Sequence, residues 1–157
     1  MKTVLLVVGK TQSKVIGGLV DEYVERVGHY MPFEVEVIPD VANTKSMSEV
    51  VQKEKEGDAI LARIKPGDRV VLLDEKGREY RSVEFADYIQ SCMTAAPRRL
   101  VFAIGGPYGF AQSVYARADH KVSLSKMTFS HQMIRLVFTE QLYRAMTILR
   151  GEPYHHE

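Results

Sequence analysis

Short apolar runs alternate with amphipathic segments along the whole chain. Residues 3–8, 69–74 and 99–104 are nearly unbroken runs of Val, Leu, Ile and Phe, a pattern typical of strands buried on both faces. Residues 33–38 alternate apolar with acidic side chains, which predicts a strand at the edge of a sheet with one wet face. A fifth, short strand is predicted at residues 121–124.

Between these runs the apolar residues recur at helical spacing. Ser13, either Ser46 or Ser48, and Ser82 are predicted helix N-caps, and Ser130 is predicted to begin the last helix. The five helices are expected to end near residues 27, 63, 95, 118 and 149. Lys76 and Gly77 are expected to turn the chain out of the third strand. The alternation, without a repeat or linker, predicts one α/β domain over residues 1–157, a mostly parallel sheet with helices on both faces.

Composition narrows the class of protein. With 157 residues, 45% hydrophobic and 26% charged, the chain suits one soluble domain with a core. A formal net charge of +1 gives no overall basic surface, so any nucleic-acid site must be a local patch or be assembled between subunits. No membrane segment, secretion signal or metal site is expected, and the single Cys92 fits a reducing cytoplasm.

Two loops are candidates for ligand binding because each follows a predicted strand. Residues 105–109, Gly-Gly-Pro-Tyr-Gly, let a ligand approach the backbone, or they are simply a cluster of turn glycines. Their spacing matches neither the dinucleotide fingerprint nor a P-loop. Residues 123–129 offer hydroxyls, one lysine and a methionine, which suit a neutral or cationic adenosyl ligand better than a triphosphate. The alternative is an ordinary loop between a strand and a helix.

The last helix and the tail leave two further questions open. The helix has a wider apolar surface than one core face needs, so it is either a central core helix or a core helix with a dimer face. Glu140 and Arg144 are spaced for a local ion pair. The tail is either disordered, as termini often are, or provides aromatic and imidazole groups that contact RNA.

Several stretches together resemble the RlmH family, the bacterial 23S rRNA pseudouridine N3-methyltransferases of the SPOUT superfamily. The resemblance covers essentially the whole chain. Its motifs are Val-Phe-Ala-Ile-Gly-Gly at 101–106, Leu-Ser-Lys-Met-Thr-Phe at 124–129, His-Gln-Met at 131–133 with Arg135, Glu-Gln-Leu-Tyr-Arg-Ala at 140–145, and Tyr154-His155. Ser130 departs from the family, which usually has proline before the histidine.

The resemblance implies a C-terminal trefoil knot, an obligate homodimer and S-adenosylmethionine held in the knot loops. It implies cofactor contacts at nine positions: Leu73, Gly105, Gly106, Leu124, Ser125, Lys126, Met127, Thr128 and Phe129. The implied acceptor is N3 of a pseudouridine in 23S rRNA, methylated in the assembled ribosome and therefore in the cytoplasm.

Methyl transfer to N3 requires that the nitrogen lose a proton, so a base or a group that stabilises the ring anion would help. His131 is one candidate, although it could instead have a cap or core role. Arg135 or Arg144 is the candidate cation. Tyr154 and His155 are further candidates, from the same or the partner subunit. The competing hypothesis is a non-catalytic protein that binds an adenosyl compound or nucleotide in the same pocket. A nicotinamide-dependent enzyme is disfavoured by the glycine spacing.

Overall fold

Five parallel strands lie at the centre of the molecule, in the order β2-β1-β4-β3-β5, in a computed structural model that describes residues 1–157. Each strand pairs in parallel with its neighbours, and β2 lies at an edge as its alternating pattern predicted. The strands are β1 (Lys2–Val8), β2 (Phe33–Ile38), β3 (Asp68–Glu79), β4 (Arg99–Ile104) and β5 (His120–Ser123). The helices are α1 (Lys14–Gly28), α2 (Glu49–Leu61), α3 (Ser82–Ala95), α4 (Gln112–Arg117) and α5 (Met133–Leu149), with a 3₁₀ turn at Thr44–Ser46.

Helices cover both faces of the sheet, which confirms the predicted α/β class. Alternate residues of each strand point to opposite faces: Leu5 and Phe102 pack with α1, α3 and α5, whereas Leu6 and Ala103 pack with α2 and α4. Both sets are buried, which is why β1 and β4 read as unbroken apolar runs. On the first face α5 lies between α1 and α3.

The predicted end of β3 is wrong. β3 stops pairing with β5 after Leu73 and resumes at Arg78, since Leu73 and Arg78 both align with Val122 of β5. Residues 74–77 are therefore an insertion within the strand. A Cβ on Gly77 would lie 2.7 Å from the Lys121 carbonyl carbon, so only glycine lets the returning strand approach β5 this closely.

Helix starts agree with the sequence in part. The Ser13 and Ser48 hydroxyls accept the N–H groups of Ile16 and Val51 at 3.2 Å, as N-caps do. Ser82 is not a cap: it is already helical, and Glu84 accepts the N–H of Arg81 at 2.8 Å instead.

The last helix begins later than predicted. Its first residue is Met133, whose N–H donates to Ser130 Oγ at 3.1 Å across the turn that precedes the helix.

A buried ion pair ties the first residues of β3 and β4 together. Arg99 donates from Nε and Nη2 to the two carboxylate oxygens of Asp68, at 3.0 and 2.6 Å. The Asp68 side chain is fully buried. Burial alone would raise the pKa of Asp68, but the hydrogen bonds from Arg99 and the Lys65 N–H hold it below its ordinary value.

We expect Asp68→Asn to lower the free energy of unfolding by about 3 kcal/mol at pH 7, because Arg99 would keep a half-buried charge without its partner. The folded-state pKa of Asp68 is depressed, so its stabilisation is present above the unfolded pKa of about 3.9 and is lost as the pH falls through the folded value. Urea titrations from neutral to acidic pH should show the wild type converging on the variant.

The matched control is Asp87→Asn on α3, where the carboxylate is exposed and has no ion-pair partner. It should change stability by less than about 0.5 kcal/mol at every pH. An acid dependence unchanged in Asp68→Asn would contradict the assigned role of the pair.

Candidate active site

A cavity of about 620 Å³ opens where β3, β4 and β5 end. Its apolar floor consists of Leu73, Ile104, Val122 and Leu124 from the strand ends and Ile134 from α5. The carboxyl edge of a parallel sheet is where such folds bind ligands, and the volume is typical of small-molecule sites.

The glycine loop forms one wall. Gly109 adopts φ +82°, and its N–H donates to the Gly106 carbonyl at 3.1 Å, which closes a tight turn. A Cβ on Gly105 would lie 3.2 Å from the Gly109 carbonyl carbon and oxygen. The two sides of the loop are therefore close-packed, and this wall of the cavity is largely main chain.

The loop between β5 and α5 forms the opposite wall and is held by its own hydroxyls. Ser123 donates to the Ser125 carbonyl at 3.0 Å, and Ser125 Oγ accepts the Met127 N–H at 2.9 Å. Thr128 donates to Glu75 at 3.2 Å, which joins this loop to the insertion in β3. Met127 is 79% exposed at the rim.

The structure gathers eight of the nine residues for which the resemblance implies a cofactor contact around this single cavity. They are Leu73, Gly105, Gly106, Leu124, Ser125, Met127, Thr128 and Phe129. Lys126 is the exception: its side chain is 84% exposed, and its Nζ lies 3.6 Å from Glu79 instead of in the cavity.

The insertion in β3 supplies cavity residues that were not predicted. Asp74, Glu75 and Lys76 line the cavity, and the Tyr115 hydroxyl donates to Asp74. Burial raises the pKa of Tyr115, and the bond to Asp74 raises it further, so the hydroxyl stays protonated. Asp74, a polar residue at the end of an apolar run, could have indicated these cavity residues. The turn predicted at Lys76 led instead to the expectation that the chain leaves the sheet there.

His131 and Arg135 have different positions. His131 is exposed and lines the cavity mouth. Arg135 is 1% exposed and does not line the cavity, so the expectation that it faces an acceptor is wrong. Its guanidinium donates at 2.9–3.0 Å to four acceptors: the carbonyl oxygens of Val8, Gly9 and His131, and Thr11 Oγ1.

The tail folds back on its own helices and is ordered by polar contacts around Arg144. The guanidinium donates to Glu140 at 2.6 Å, which confirms the predicted pair, and to His155 Nδ1 at 3.1 Å. Tyr154 donates to the same Glu140 oxygen at 2.9 Å and lies under Arg144, 4.8 Å from ring centre to guanidinium. Burial and the bonds to Tyr23 and Glu140 raise the pKa of Tyr154.

We call Glu140, Arg144, Tyr154 and His155 the tail cluster. None of its members lines the cavity of the same chain. His155 Nε2 is buried and has no hydrogen-bond partner, although Nδ1 accepts from Arg144. Glu157 Oε1 lies 3.7 Å from this nitrogen, which is beyond hydrogen-bond distance. The tail cluster is thus separate from the cavity within one chain, and one of its buried nitrogens makes no hydrogen bond.

Metal sites and membrane spans are the other features that a chain of this kind could have. No group of three or more His, Cys, Asp or Glu side chains is arranged to hold a metal ion. No helix has the length and apolar character that a membrane span requires.

The fold and cavity together define an α/β protein with a small-molecule site built from main chain, hydroxyls and apolar side chains at the strand ends. The family described as predicted SPOUT methyltransferase matches residues 1–155. The chain is also 59% identical over its full length to ribosomal RNA large subunit methyltransferase H of Parabacteroides distasonis, and 60% identical to the protein of that name from Phocaeicola vulgatus. Both alignments cover 100% of both chains. This chain belongs to the RlmH family of SPOUT methyltransferases, which confirms the resemblance.

The fold recurs in a solved structure of much lower similarity, that of a probable methylase family protein from Haemophilus influenzae. The TM-score is 0.52 at 9% identity, and the match covers 95% of this chain and 66% of the other. At that identity the match supports the fold alone.

We expect Arg135→Met to lower the free energy of unfolding by about 3–5 kcal/mol in urea titrations, because it leaves buried carbonyls at the end of β1 without donors. Arg98→Met, at an exposed arginine without an ion pair, is the control and should cost less than about 0.5 kcal/mol. A loss below about 1 kcal/mol for Arg135→Met would contradict a structural role.

Proposed function

We propose that this protein uses S-adenosylmethionine to methylate N3 of a pseudouridine in 23S rRNA, acting on the assembled ribosome in the cytoplasm. The observation that carries the proposal is the full-length identity of 59–60% to large-subunit rRNA methyltransferases, with the matching loop motifs gathered around one cavity. The C-terminal trefoil knot that the resemblance implies is part of the same proposal.

The residues present fit the proposed cofactor. The cavity lining includes two carboxylates, Asp74 and Glu75, but only one lysine, Lys76. That balance disfavours a polyphosphate and suits a ligand with a positive sulfonium. Main-chain groups of residues 105–109 and 124–129 would hold the adenosyl and methionine parts, and Leu73 and Ile134 would bury apolar surface.

The cofactor supplies an activated methyl group, so the protein needs to align the acceptor nitrogen, exclude water and accept the N3 proton. His131 is at the cavity mouth, within the same chain. Arg144, Tyr154 and His155 are the remaining candidates, and the contact from Glu140 fixes the Arg144 guanidinium in place. A fixed cation stabilises a developing ring anion without reorganising during the reaction.

A second copy of the chain would bring the two halves of this site together. Val15, Leu19 and Met133 are exposed by 75, 40 and 40%, although all three are large and apolar. Val15 and Leu19 share one side of α1, and the Gln12 N–H donates to Gln132 at 2.7 Å, so the starts of α1 and α5 are adjacent. We infer that this apolar surface is the homodimer interface and that the tail cluster of each protomer completes the partner's cavity.

The functional test uses purified protein and ribosomes from a strain that lacks the corresponding gene. We expect the wild type to transfer one methyl group to a 23S rRNA pseudouridine, identified by mass analysis of the nucleosides. Arg144→Ala and His155→Ala should lower this rate about 100-fold or more and leave S-adenosylmethionine affinity within about twofold, because neither residue is among the expected cofactor contacts and both are proposed to act on the acceptor.

Arg98→Met serves as a control outside both halves of the site, and His131→Ala is assayed in parallel. If all the site variants transfer methyl groups at the wild-type rate while they bind cofactor, the proposed catalytic roles are wrong. Cofactor binding without any transfer by the wild type would favour the non-catalytic binding protein instead.

We expect Leu19→Glu to convert a dimer to a monomer in light scattering and to abolish methyl transfer, since a charge would be buried in the interface. Val50→Glu on α2 is the matched control, because Val50 is 58% exposed on the other face of the sheet. A Leu19→Glu protein that stays dimeric, or a monomer with full activity, would contradict the composite site.

A further inference from the structure

Glu56 is a buried carboxylate that the proposed chemistry does not use. It lies on α2 and is 4% exposed. Its Oε1 is buried and has no hydrogen-bond partner. A buried carboxylate without a neighbouring cation is costly, so an interaction that compensates for it is expected at the glycine loop.

The Glu56 side chain lies directly behind the glycine loop of the cavity. A Cβ on Gly106 would overlap both Glu56 carboxylate oxygens, so only glycine at this position lets the carboxylate touch the main chain. One residue further along α2, Gly57 fits against Ala111, where a Cβ would lie 2.8 Å from the alanine methyl. These contacts fix α2 against the loop and hold the carboxylate against Gly106, whose main chain lines the cavity.

No cation balances Glu56. Burial raises the pKa of Glu56, Gln52 on the same helix opposes this by hydrogen bonding, and the negative charge of Asp40 raises it further. No lysine, arginine or histidine lies within ion-pair distance of the Glu56 carboxylate. The two carboxylates that line the cavity do have partners, since Asp74 accepts from Tyr115 and Glu75 accepts from Thr128.

We propose that Glu56 is a specificity residue, the counter-charge that favours the positive sulfonium of S-adenosylmethionine over the neutral thioether of S-adenosylhomocysteine. The inference rests on the proposed function and concerns the preference for substrate over product. Glu56 acts through the field across the Gly105–Gly106 main chain, without needing direct contact with the ligand. The preference would hasten exchange of spent for fresh cofactor.

The test is calorimetric affinity of three ligands for wild type, Glu56→Gln and Glu54→Gln. S-adenosylmethionine and the amine analogue sinefungin carry a positive charge where S-adenosylhomocysteine is neutral. Glu56→Gln should weaken the two cationic ligands about tenfold and the neutral one less than twofold. Glu54→Gln removes the same charge from an exposed position on the same helix and should change none of them.

Equal weakening of all three ligands would mean that Glu56 only supports the loop, and this would overturn the inference, as would no weakening at all. If the wild type binds neither S-adenosylmethionine nor S-adenosylhomocysteine, the proposed function itself fails. The two failures are therefore distinguishable.

If Glu56→Gln does not fold, the inference is tested by measuring proton release on ligand binding in protein that retains Glu56. Because the pKa of Glu56 is raised, a nearby cation lowers it, and binding should release a proton where Glu56 is partly protonated. Titrations in buffers of different ionisation enthalpy, from about pH 5 to about pH 8, should show release with S-adenosylmethionine that exceeds release with S-adenosylhomocysteine. His131 is a second titratable group at the cavity mouth, so the titrations are repeated with His131→Ala. Equal release with the two ligands would overturn the inference.

Discussion

The guanidinium of Arg135 is the contact on which the site depends. It fills the space between the end of β1 and the start of α5, and it donates to main-chain carbonyls on both. Residues about 125 positions apart in the chain are thereby joined where the last helix begins. Since that start positions Ile134 and His131 at the cavity, a buried charge outside the cavity helps to hold its lining in place.

The proposed composite site has two parts, the cavity and the tail cluster, which differ in how many of their polar groups are hydrogen-bonded. Around the cavity, side chains such as Ser125 and Thr128 use their hydroxyls to hold the loop, and the charged lining comes from the insertion in β3. In the tail cluster, Arg144 is oriented by Glu140 and stacked on Tyr154. His155 has a buried nitrogen, Nε2, that makes no hydrogen bond. Such a fixed polar group without a hydrogen bond is expected where a second molecule completes the site.

The sequence predicted the sheet and its covering helices, because strands buried on both faces and amphipathic helices have strong periodic signals. The eight cavity residues that were expected as cofactor contacts came from the resemblance to the family and not from periodicity. It failed where the deciding contact is distant in the chain. Gly77 looks like a turn, but it is the close approach of β5 that requires a glycine there. Arg135 is next to cavity residues in sequence, and only the fold shows that its side chain points to β1. Glu56 lies in the charged stretch 52–57, which is typical of a solvent-exposed helix face, and its contact with Gly106 comes from a different element.

The order of the strands also has a consequence for biosynthesis. β1 pairs with β4, so the first strand to leave the ribosome cannot complete its hydrogen bonding until residue 104 has followed. At about 5–20 residues per second, this strand has an open edge for roughly 5–20 seconds. β2 protects only one side of it in the meantime. Native pairing of β1 is therefore completed late in synthesis, and until then this apolar strand has one edge open to aggregation.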